Sequence, residues 1–319
     1  MLSRRHLRIK VLQAVYAFVQ SGSTDLAKGE KQLLSSIEKI SELIIYQLSF
    51  LIEMRDFAHN RIEESKKKFF PSDEDLNPNM RFVENKVLMK IEENRDYKRN
   101  RDRLRINWGE EREMIRKGYI MLRESKFFEK YMHKGENGFE EDRDLLIKLV
   151  KKVLADFELL EYFYESKSVF WAFDSYFTGN QMLIKYLKSI DAGDDELRKI
   201  PPVIKNNEGD EDRAFMIRLF HKTILSSEKF GSLIEEKARN WELDRIALMD
   251  TILIKMALAE LLEFPSIPVK VTLNEYIDIS KYYSSAKSKV FINGILDKLI
   301  VDLKEQDMIK KTGRGLLEY

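Results

Sequence analysis

The chain has 319 residues, of which 44% are hydrophobic and 34% are charged, with only 13 glycines and 6 prolines. This composition supplies a sizeable apolar core and many solvated helix faces, but little of the turn chemistry that a fold of short strands needs. The absence of cysteine excludes disulfides, thiol catalysis and cysteine-ligated zinc. We therefore predict an all-α fold.

The formal net charge of +1 conceals an uneven distribution of charge along the chain. Residues 1–24 contain four lysine and arginine residues and no acidic residue, and segment 95–105 contains six basic residues against two acids. Local clusters of this kind are what phosphate binding requires, whatever the average charge. Both segments are therefore candidates for contact with a phosphate backbone.

The N-terminus superficially resembles a secretion signal, because a basic start precedes an apolar run at residues 11–19. However, Gln13 interrupts that run, and no small-residue cleavage site follows it. No stretch reaches the roughly 18 apolar residues of a transmembrane helix. We expect a cytoplasmic protein that makes no membrane contact.

Helical periodicity dominates the first part of the chain. Residues 3–20 have an amphipathic pattern and predict a first helix, which a short polar segment separates from a long second helix at about 25–67. Two prolines and two asparagines predict a loop over 71–82. Charged helical segments then resume over 81–134 and end in a predicted turn at 133–138.

An internal repeat occupies the middle of the chain. Residues 141–188 align with residues 211–258 without a gap, and 14 of the 48 pairs are identical. The identities include a shared Glu-Asp-Arg start and the match of Trp171 with Trp241. We interpret the segments as copies of one helical unit that buries its apolar face against a neighbour, with both tryptophans in the core. Trp108 is a candidate mark of a third, more decayed copy.

The last part of the chain adds features that the first copy lacks. Pro265 and Pro268 fix an extended link, and Thr272 and Glu275 have the spacing of a capping box, which predicts that a helix begins there. Gly294 lies inside the final predicted helix, where glycine costs about 1 kcal/mol relative to alanine. A close helix crossing at Gly294 would explain that choice.

The segment RNWELDRIALMDTILIKMALAELLEFPSIPVKVTLNEYIDISKYYSSAKSKVFINGILDKL resembles the core of the NusB family of transcription antitermination factors. The matching features are the apolar helix LMDTILIKMALAELL, the P-x-x-V-x-x-N-E pattern that begins at Pro268, the helix end at Lys281 and the sequence FINGILDKL. At the other end, RRHLRIKVLQAVYAF is similar to the basic first helix of the family. The resemblance covers about 1–55 and 211–303.

This resemblance implies an all-helical fold of two packed three-helix subdomains, here enlarged by an insertion. It implies a non-catalytic factor that binds boxA-type RNA and pairs with the ribosomal protein NusE, and that thereby sustains elongation by RNA polymerase. No cofactor and no metal is expected, and the sequence contains no nucleotide-binding, zinc-protease or esterase signature. The alternative is a helical protein-interaction scaffold that kept the fold without RNA binding, which a dispersed basic surface would indicate.

Two groups of residues are candidates for RNA contact. Basic side chains on the first helix can clamp phosphates and aromatic side chains can stack on bases, although a solvated terminal helix has the same pattern. The resemblance places the second group in and near the link before FING. The candidates are Arg4, Arg5, His6, Arg8, Lys10, Tyr16, Lys281, Lys287, Lys289 and Phe291. By resemblance, Glu260 faces the NusE partner, and a solvated carboxylate is the alternative.

Segment 56–210 is the largest departure from the family pattern. It can extend the RNA surface, shield the partner groove or only enlarge the bundle, and enlargement is the default because repeats first serve burial. The predicted regions are N-terminal helices (1–55), a charged helical insertion (56–140), a diverged copy (141–190), a linker (191–210), a C-terminal subdomain (211–303) and a tail (304–319).

Overall fold

A computed structural model describes residues 1–135, 138–172, 174–204, 211–238, 247–285 and 287–317. Those residues contain fifteen α-helices and no strand, which confirms the predicted all-α class. None of the helices in these ranges is both long and apolar enough to cross a membrane.

The helices follow one another along the chain. They are α1 (Arg4–Gln20), α2 (Leu26–Lys66), α3 (Asp73–Leu76), α4 (Lys86–Glu93), α5 (Arg95–Arg103), α6 (Arg112–Arg123), α7 (Lys126–His133), α8 (Phe139–Lys152), α9 (Glu158–Lys167), α10 (Ser175–Ser189), α11 (Glu211–Leu225), α12 (Ser227–Lys237), α13 (Leu248–Glu263), α14 (Val269–Tyr283) and α15 (Ser288–Glu305). The predicted loop at 71–82 contains α3, which a capping box between Ser72 and Asp75 stabilises.

The chain divides into two compact units, and the division falls inside α2. The central unit comprises Glu38–Val203 with Met1, and the terminal unit comprises Leu2–Ile37 with Ile204–Tyr319. The family resemblance placed the first boundary at about residue 55. The structure instead assigns the first third of α2 to one unit and the rest to the other.

The terminal unit is built around α13. This helix packs against α1, α11, α12, α14 and α15, and most of its residues are buried. Its sequence is apolar on nearly every face, as expected for a helix that neighbours enclose. Arg5 of α1 donates to Glu275 and Asp278 of α14, so the basic N-terminus of the chain lies beside α14.

The central unit has a core rich in aromatic side chains. Trp171 is 3% exposed, and its indole nitrogen donates to the carbonyl oxygen of Lys39 at 2.6 Å. Trp108 is also buried and donates to Ser49 Oγ at 2.9 Å. The predicted core position of Trp171 is therefore confirmed, whereas Trp241 lies outside the described residues.

The helices of the two repeat segments recur in the same order. At the offset of 70 residues, α8, α9 and α10 correspond to α11, α12 and α13. The first three belong to the central unit and the second three to the terminal unit. This recurrence supports a duplicated three-helix unit, with one copy in each compact unit.

Two local predictions for the last helices are wrong. α14 begins at Val269, directly after Pro268, so Thr272 lies in the first turn and is not its cap. The proline favours this earlier start because its fixed backbone angle suits the edge of a helix. A Cβ at Gly294 would meet no described atom within 4 Å, so no close helix crossing accounts for this glycine.

Candidate nucleic-acid interface

A buried ion pair joins the first helix to α13. Arg8 and Glu260 have side chains that are 3% and 0% exposed. The Arg8 guanidinium donates from Nε and Nη2 to the two Glu260 carboxylate oxygens, each at 2.7 Å. Thr272 Oγ1 donates to the same carboxylate at 2.8 Å, and the Tyr276 hydroxyl donates to it at 3.2 Å. The carboxylate is thus fully hydrogen-bonded within the protein.

Electrostatics hold Arg8 in its charged form. Burial alone would lower the pKa of the Arg8 guanidinium, but the hydrogen bonds and charge of Glu260 raise that pKa above its ordinary value. Burial also raises the pKa of the Tyr276 phenol well above its usual range, so Tyr276 remains a neutral donor. The network is a structural tie between α1, α13 and α14.

This geometry corrects the predictions for Arg8 and Glu260. Arg8 cannot reach an RNA phosphate, and Glu260 cannot face a protein partner, because each is enclosed by the bundle and bonded to the other. Lys10 and Phe291 are also buried, at 3% and 6% exposure. Lys10 donates to Gln13 at 3.0 Å. These four side chains are therefore too deeply buried for direct contact with a partner.

Arg4 and Arg5 are partly exposed, and both are paired with acidic residues. Arg5 donates twice to Glu275, at 3.0 and 2.9 Å, and once to Asp278 at 2.9 Å. These carboxylates raise the pKa of the Arg5 guanidinium, with the Glu275 hydrogen bond as the main cause. Arg4 lies 3.1 Å from the Asp212 carboxylate and 4.7 Å from the centre of a phenylalanine ring. The charge of both arginines is locally balanced.

The remaining candidates on the first helix are His6 and Tyr16. His6 is half-buried, and its Nδ1 lies 2.6 Å from Ser3 Oγ, next to the cap of α1. Tyr16 is 36% exposed and accepts a hydrogen bond from Gln20 at 3.0 Å. Both can be reached from solvent.

The lysines in the link between α14 and α15 differ from the arginines of α1, because two of them have no acidic partner among the described residues. Lys281 lies 2.5 Å from Asp278, so Asp278 bridges it to Arg5. Lys287 and Lys289 are exposed and have no ion pair among the described residues. They stand at the N-terminus of an 18-residue helix whose first turn contains no acid. The helix dipole is positive at this end, so it adds to the lysine charges.

A hydroxyl cluster fixes the shape of this link. The Ser284 hydroxyl donates to the buried carboxylate of Asp250, and it lies 2.9 Å from Ser288 Oγ. Ser285 Oγ lies 2.8 Å from the same Ser288 oxygen. These bonds tie the end of α14 and the start of α15 to α13. The backbone that presents Lys287 is therefore held by the core.

Sequence reasoning missed two features of this surface. Tyr282 is 84% exposed next to Lys281, which makes it a more accessible aromatic than Tyr16 or Phe291. The competing acids Glu275 and Asp278 were also missed. Their spacing of three residues places them on one face of α14, and that spacing was the available signal. Their pairing with α1 depends on the tertiary fold.

The described residues form an all-α helical protein. Its exposed lysines at the N-terminus of α15 are a candidate site for a polyanion. The NusB family model matches residues 180–301. A protein named transcription antitermination protein NusB, from Salinibacter ruber, is 44% identical over 111 residues, which cover 34% of this chain and 69% of that protein. The chain therefore belongs to the NusB family.

Two further relatives carry the same name. The protein from Chloroherpeton thalassium is 38% identical over 104 residues, or 33% of this chain and 49% of that protein. The protein from Koribacter versatilis is 39% identical over 94 residues, or 30% of this chain and 64% of that protein. The chain thus covers less than two thirds of these two proteins. No solved structure matches it significantly.

Proposed function

We propose that the chain is a transcription antitermination factor that binds boxA-type single-stranded RNA together with the ribosomal protein NusE. Through that complex it acts indirectly on the elongating RNA polymerase. Family membership supports the proposal, and so do the names of the curated relatives. Its role is binding, and no reaction is assigned to it.

The observation that carries RNA binding is the uncompensated charge at the start of α15. Two exposed lysines at the positive end of a helix repel both the dipole and each other, so this arrangement costs stability without a counter-charge. A phosphate at this end of the helix would remove the repulsion and accept hydrogen bonds from it. The adjacent exposed ring of Tyr282 offers a face on which an unpaired base can stack.

Arg4 and Arg5 have a second, conditional role in this proposal. Their carboxylate partners must be exchanged for phosphates before they contribute to RNA binding. Exposed ion pairs of this kind contribute about 0–1 kcal/mol, so the exchange is inexpensive. The members of the proposed surface that are exposed or partly exposed are Arg4, Arg5, His6, Tyr16, Lys281, Tyr282, Lys287 and Lys289.

The test is a titration of the full-length chain with labelled boxA RNA and with a scrambled RNA of equal length. Each titration is done alone and in the presence of a NusE-type protein. We expect boxA RNA to bind more tightly than scrambled RNA, and the protein partner to increase the difference. Equal affinity for the two RNAs under both conditions would contradict the assignment.

A second candidate function is a protein-interaction scaffold without RNA binding. The observation that favours it is the pairing of Arg4, Arg5 and Arg8 with carboxylates, which leaves α1 without free arginine charge. Under this candidate, the NusE-type protein binds in the same experiment while neither RNA does. The two candidates therefore give different results.

A further inference from the structure

The central unit contains a charged cleft that the proposed function does not use. The cleft has a volume of about 1170 Å³ and lies between the C-terminal half of α2 and the connection from α5 to α6. Its floor includes the buried side chain of Trp108 and the ring of Phe57. All of its lining residues precede the segment that the family model matches.

Six basic side chains line this cleft, and five of them have no ion pair among the described residues. Lys68 is the exception, because it lies 2.8 Å from Asp75. The other five are Arg61, Lys67, Arg101, Arg105 and Arg112. The other arginines of segment 95–105 form ion pairs with carboxylates that do not line the cleft. For example, Arg99 lies 2.5 Å from the Asp96 carboxylate. The arginines of the basic segment without an ion pair among the described residues, Arg101 and Arg105, are therefore the ones that line the cleft.

The carboxylates of the cleft compensate this charge only in part. Asp56 is bonded to Arg55 at 2.6 Å and Glu63 to Lys66 at 2.7 Å, so each already has a cation outside the group of five. Burial raises the pKa of the Glu53 carboxyl, and the charge of Asp56 adds to that effect. Because Arg55 also pairs with Glu92 at 2.8 Å, its charge is shared between two carboxylates. The lining as a whole has six basic side chains and four carboxylates. The cleft carries a net positive charge.

Two exposed aromatic side chains directly follow the lysines of the cleft in the chain. Phe69 and Phe70 are 89% and 84% exposed. Their ring centres are 4.7 Å apart, and the ring planes are almost perpendicular. Large apolar side chains with this exposure lose the free energy of burial, about 1.5–3 kcal/mol each. Aromatic rings next to Lys67 and Lys68 match the pattern of a platform on which unpaired bases stack.

The backbone of the cleft wall is also unusual. Arg105 has φ of 51°, a left-handed conformation that few residues other than glycine adopt. The side chain of Asn107 accepts a hydrogen bond from the Gly109 amide at 2.8 Å and stabilises the turn that follows. Arg105 and Arg112, which lie before and after this turn, both line the cleft.

We propose that this cleft binds a strand of single-stranded nucleic acid without sequence preference. The five unpaired basic side chains would contact successive phosphates, and Phe69 and Phe70 would stack on bases at the edge of the cleft. Cationic side chains with interleaved aromatic rings are the recurrent solution for such binding. The site lies in the central unit and does not depend on the lysine link of the terminal unit.

The test is the affinity of the full-length chain for a labelled oligouridylate that is unrelated to boxA, measured by anisotropy over a range of salt concentrations. The charge variant is Arg61→Gln/Arg112→Gln, and the stacking variant is Phe69→Ser/Phe70→Ser. The matched control is Lys148→Gln/Lys151→Gln, which removes two charges from exposed, unpaired positions on α8 in the same unit. Thermal melting verifies that every variant is folded.

We expect the charge variant to flatten the log–log salt dependence by about 0.7 for each phosphate that the variant no longer neutralises. The stacking variant should keep the slope and bind about fivefold or more weakly for each base that no longer stacks. On an abasic strand the stacking variant should bind like the unmodified chain. The control pair should retain both the affinity and the slope.

Several results would overturn this proposal. The first is no binding of oligouridylate, and the second is a charge variant that behaves like the control pair. A third is competition by polyglutamate as effective as that of RNA, which would indicate an acidic protein as the occupant. If Lys287→Gln/Lys289→Gln alone removed oligouridylate binding, the binding would belong to the terminal unit. Failure of boxA recognition leaves these outcomes unchanged, so the two proposals are separable.

Discussion

At the scale of single residues, the exposed fraction of a side chain decides its role more than its chemical type does. Arg5 and Arg8 are three residues apart on α1, and both are bonded to carboxylates of the same unit. Arg5 remains 44% exposed and can exchange partners with a phosphate. Arg8 is enclosed, so its charge serves the fold. The sequence shows the basic cluster, but not which of its members the bundle covers.

We predict that Arg8→Met destabilises the protein by about 3–5 kcal/mol, because it leaves the Glu260 carboxylate buried without its cation. The measurement is the free energy of unfolding from denaturant titration. The double variant Arg8→Met/Glu260→Gln should recover much of this loss, since no buried charge then lacks a partner.

Arg218→Met provides the matched control for the Arg8 prediction. Arg218 is 55% exposed and pairs with Glu263 at 2.9 Å in the same unit. We expect its loss to cost about 1 kcal/mol or less. If Arg8→Met were equally mild, Arg8 would be accessible to solvent and available for contact with RNA.

At the scale of elements, the sequence predicted which helices exist better than where they begin or what they touch. The first two helices lie within a residue of their predicted bounds, because strong apolar periodicity and caps mark them. α14 begins three residues before Thr272, and Thr272 bonds to Glu260 instead of capping the helix. The spacing of residues along the chain cannot show that the Thr272 hydroxyl donates to the buried carboxylate of Glu260.

Substitution of two helical glycines by alanine should change the stability of the protein in opposite directions. A Cβ at Gly29 in α2 would lie 2.7 Å from Phe220 Cζ and 2.8 Å from Phe18 Cδ2, whereas Gly294 has open space. We expect Gly29→Ala to destabilise the protein by about 1–3 kcal/mol through overpacking. Gly294→Ala should stabilise it by about 0.5–1 kcal/mol, because alanine favours the helix.

Thermal and denaturant unfolding of the two glycine variants checks this difference in sign. Stabilisation by Gly29→Ala would show that α1 and α11 are not packed against the start of α2. Destabilisation by Gly294→Ala would show that an atom approaches the glycine more closely than the described residues indicate.

At the scale of the whole molecule, the repeat predicted an enlarged protein but not where its units divide. The resemblance ended the family-like N-terminal region at about residue 55, whereas the N-terminal segment of the terminal unit ends at Ile37, within the continuous helix α2. The buried side chains of α2 beyond that point, such as Ile44, Leu48 and Leu51, belong to the central unit. Because α2 is apolar on both sides of Ile37, its sequence does not show where the helix leaves one core and enters the other.

We predict that a chain of residues 2–37 joined by a flexible linker to residues 204–319 folds and melts cooperatively, because it keeps one complete unit. A deletion of 56–210 should instead aggregate, since it leaves the apolar face of residues 38–55 without its core. Circular dichroism melting and size-exclusion chromatography distinguish the two. The reverse outcome would show that the units are divided near residue 55.

The central claim is that RNA binds to the terminal unit through the lysines at the start of α15. Its most direct test is the salt dependence of boxA RNA binding for Lys287→Gln/Lys289→Gln against the control Lys229→Gln/Lys298→Gln, which removes two exposed, unpaired lysines of the same unit. We expect the first pair to weaken binding roughly tenfold and to reduce the log–log slope by about 0.7 for each phosphate no longer neutralised, and the control to change neither. Unchanged affinity and slope in the first pair would contradict the account.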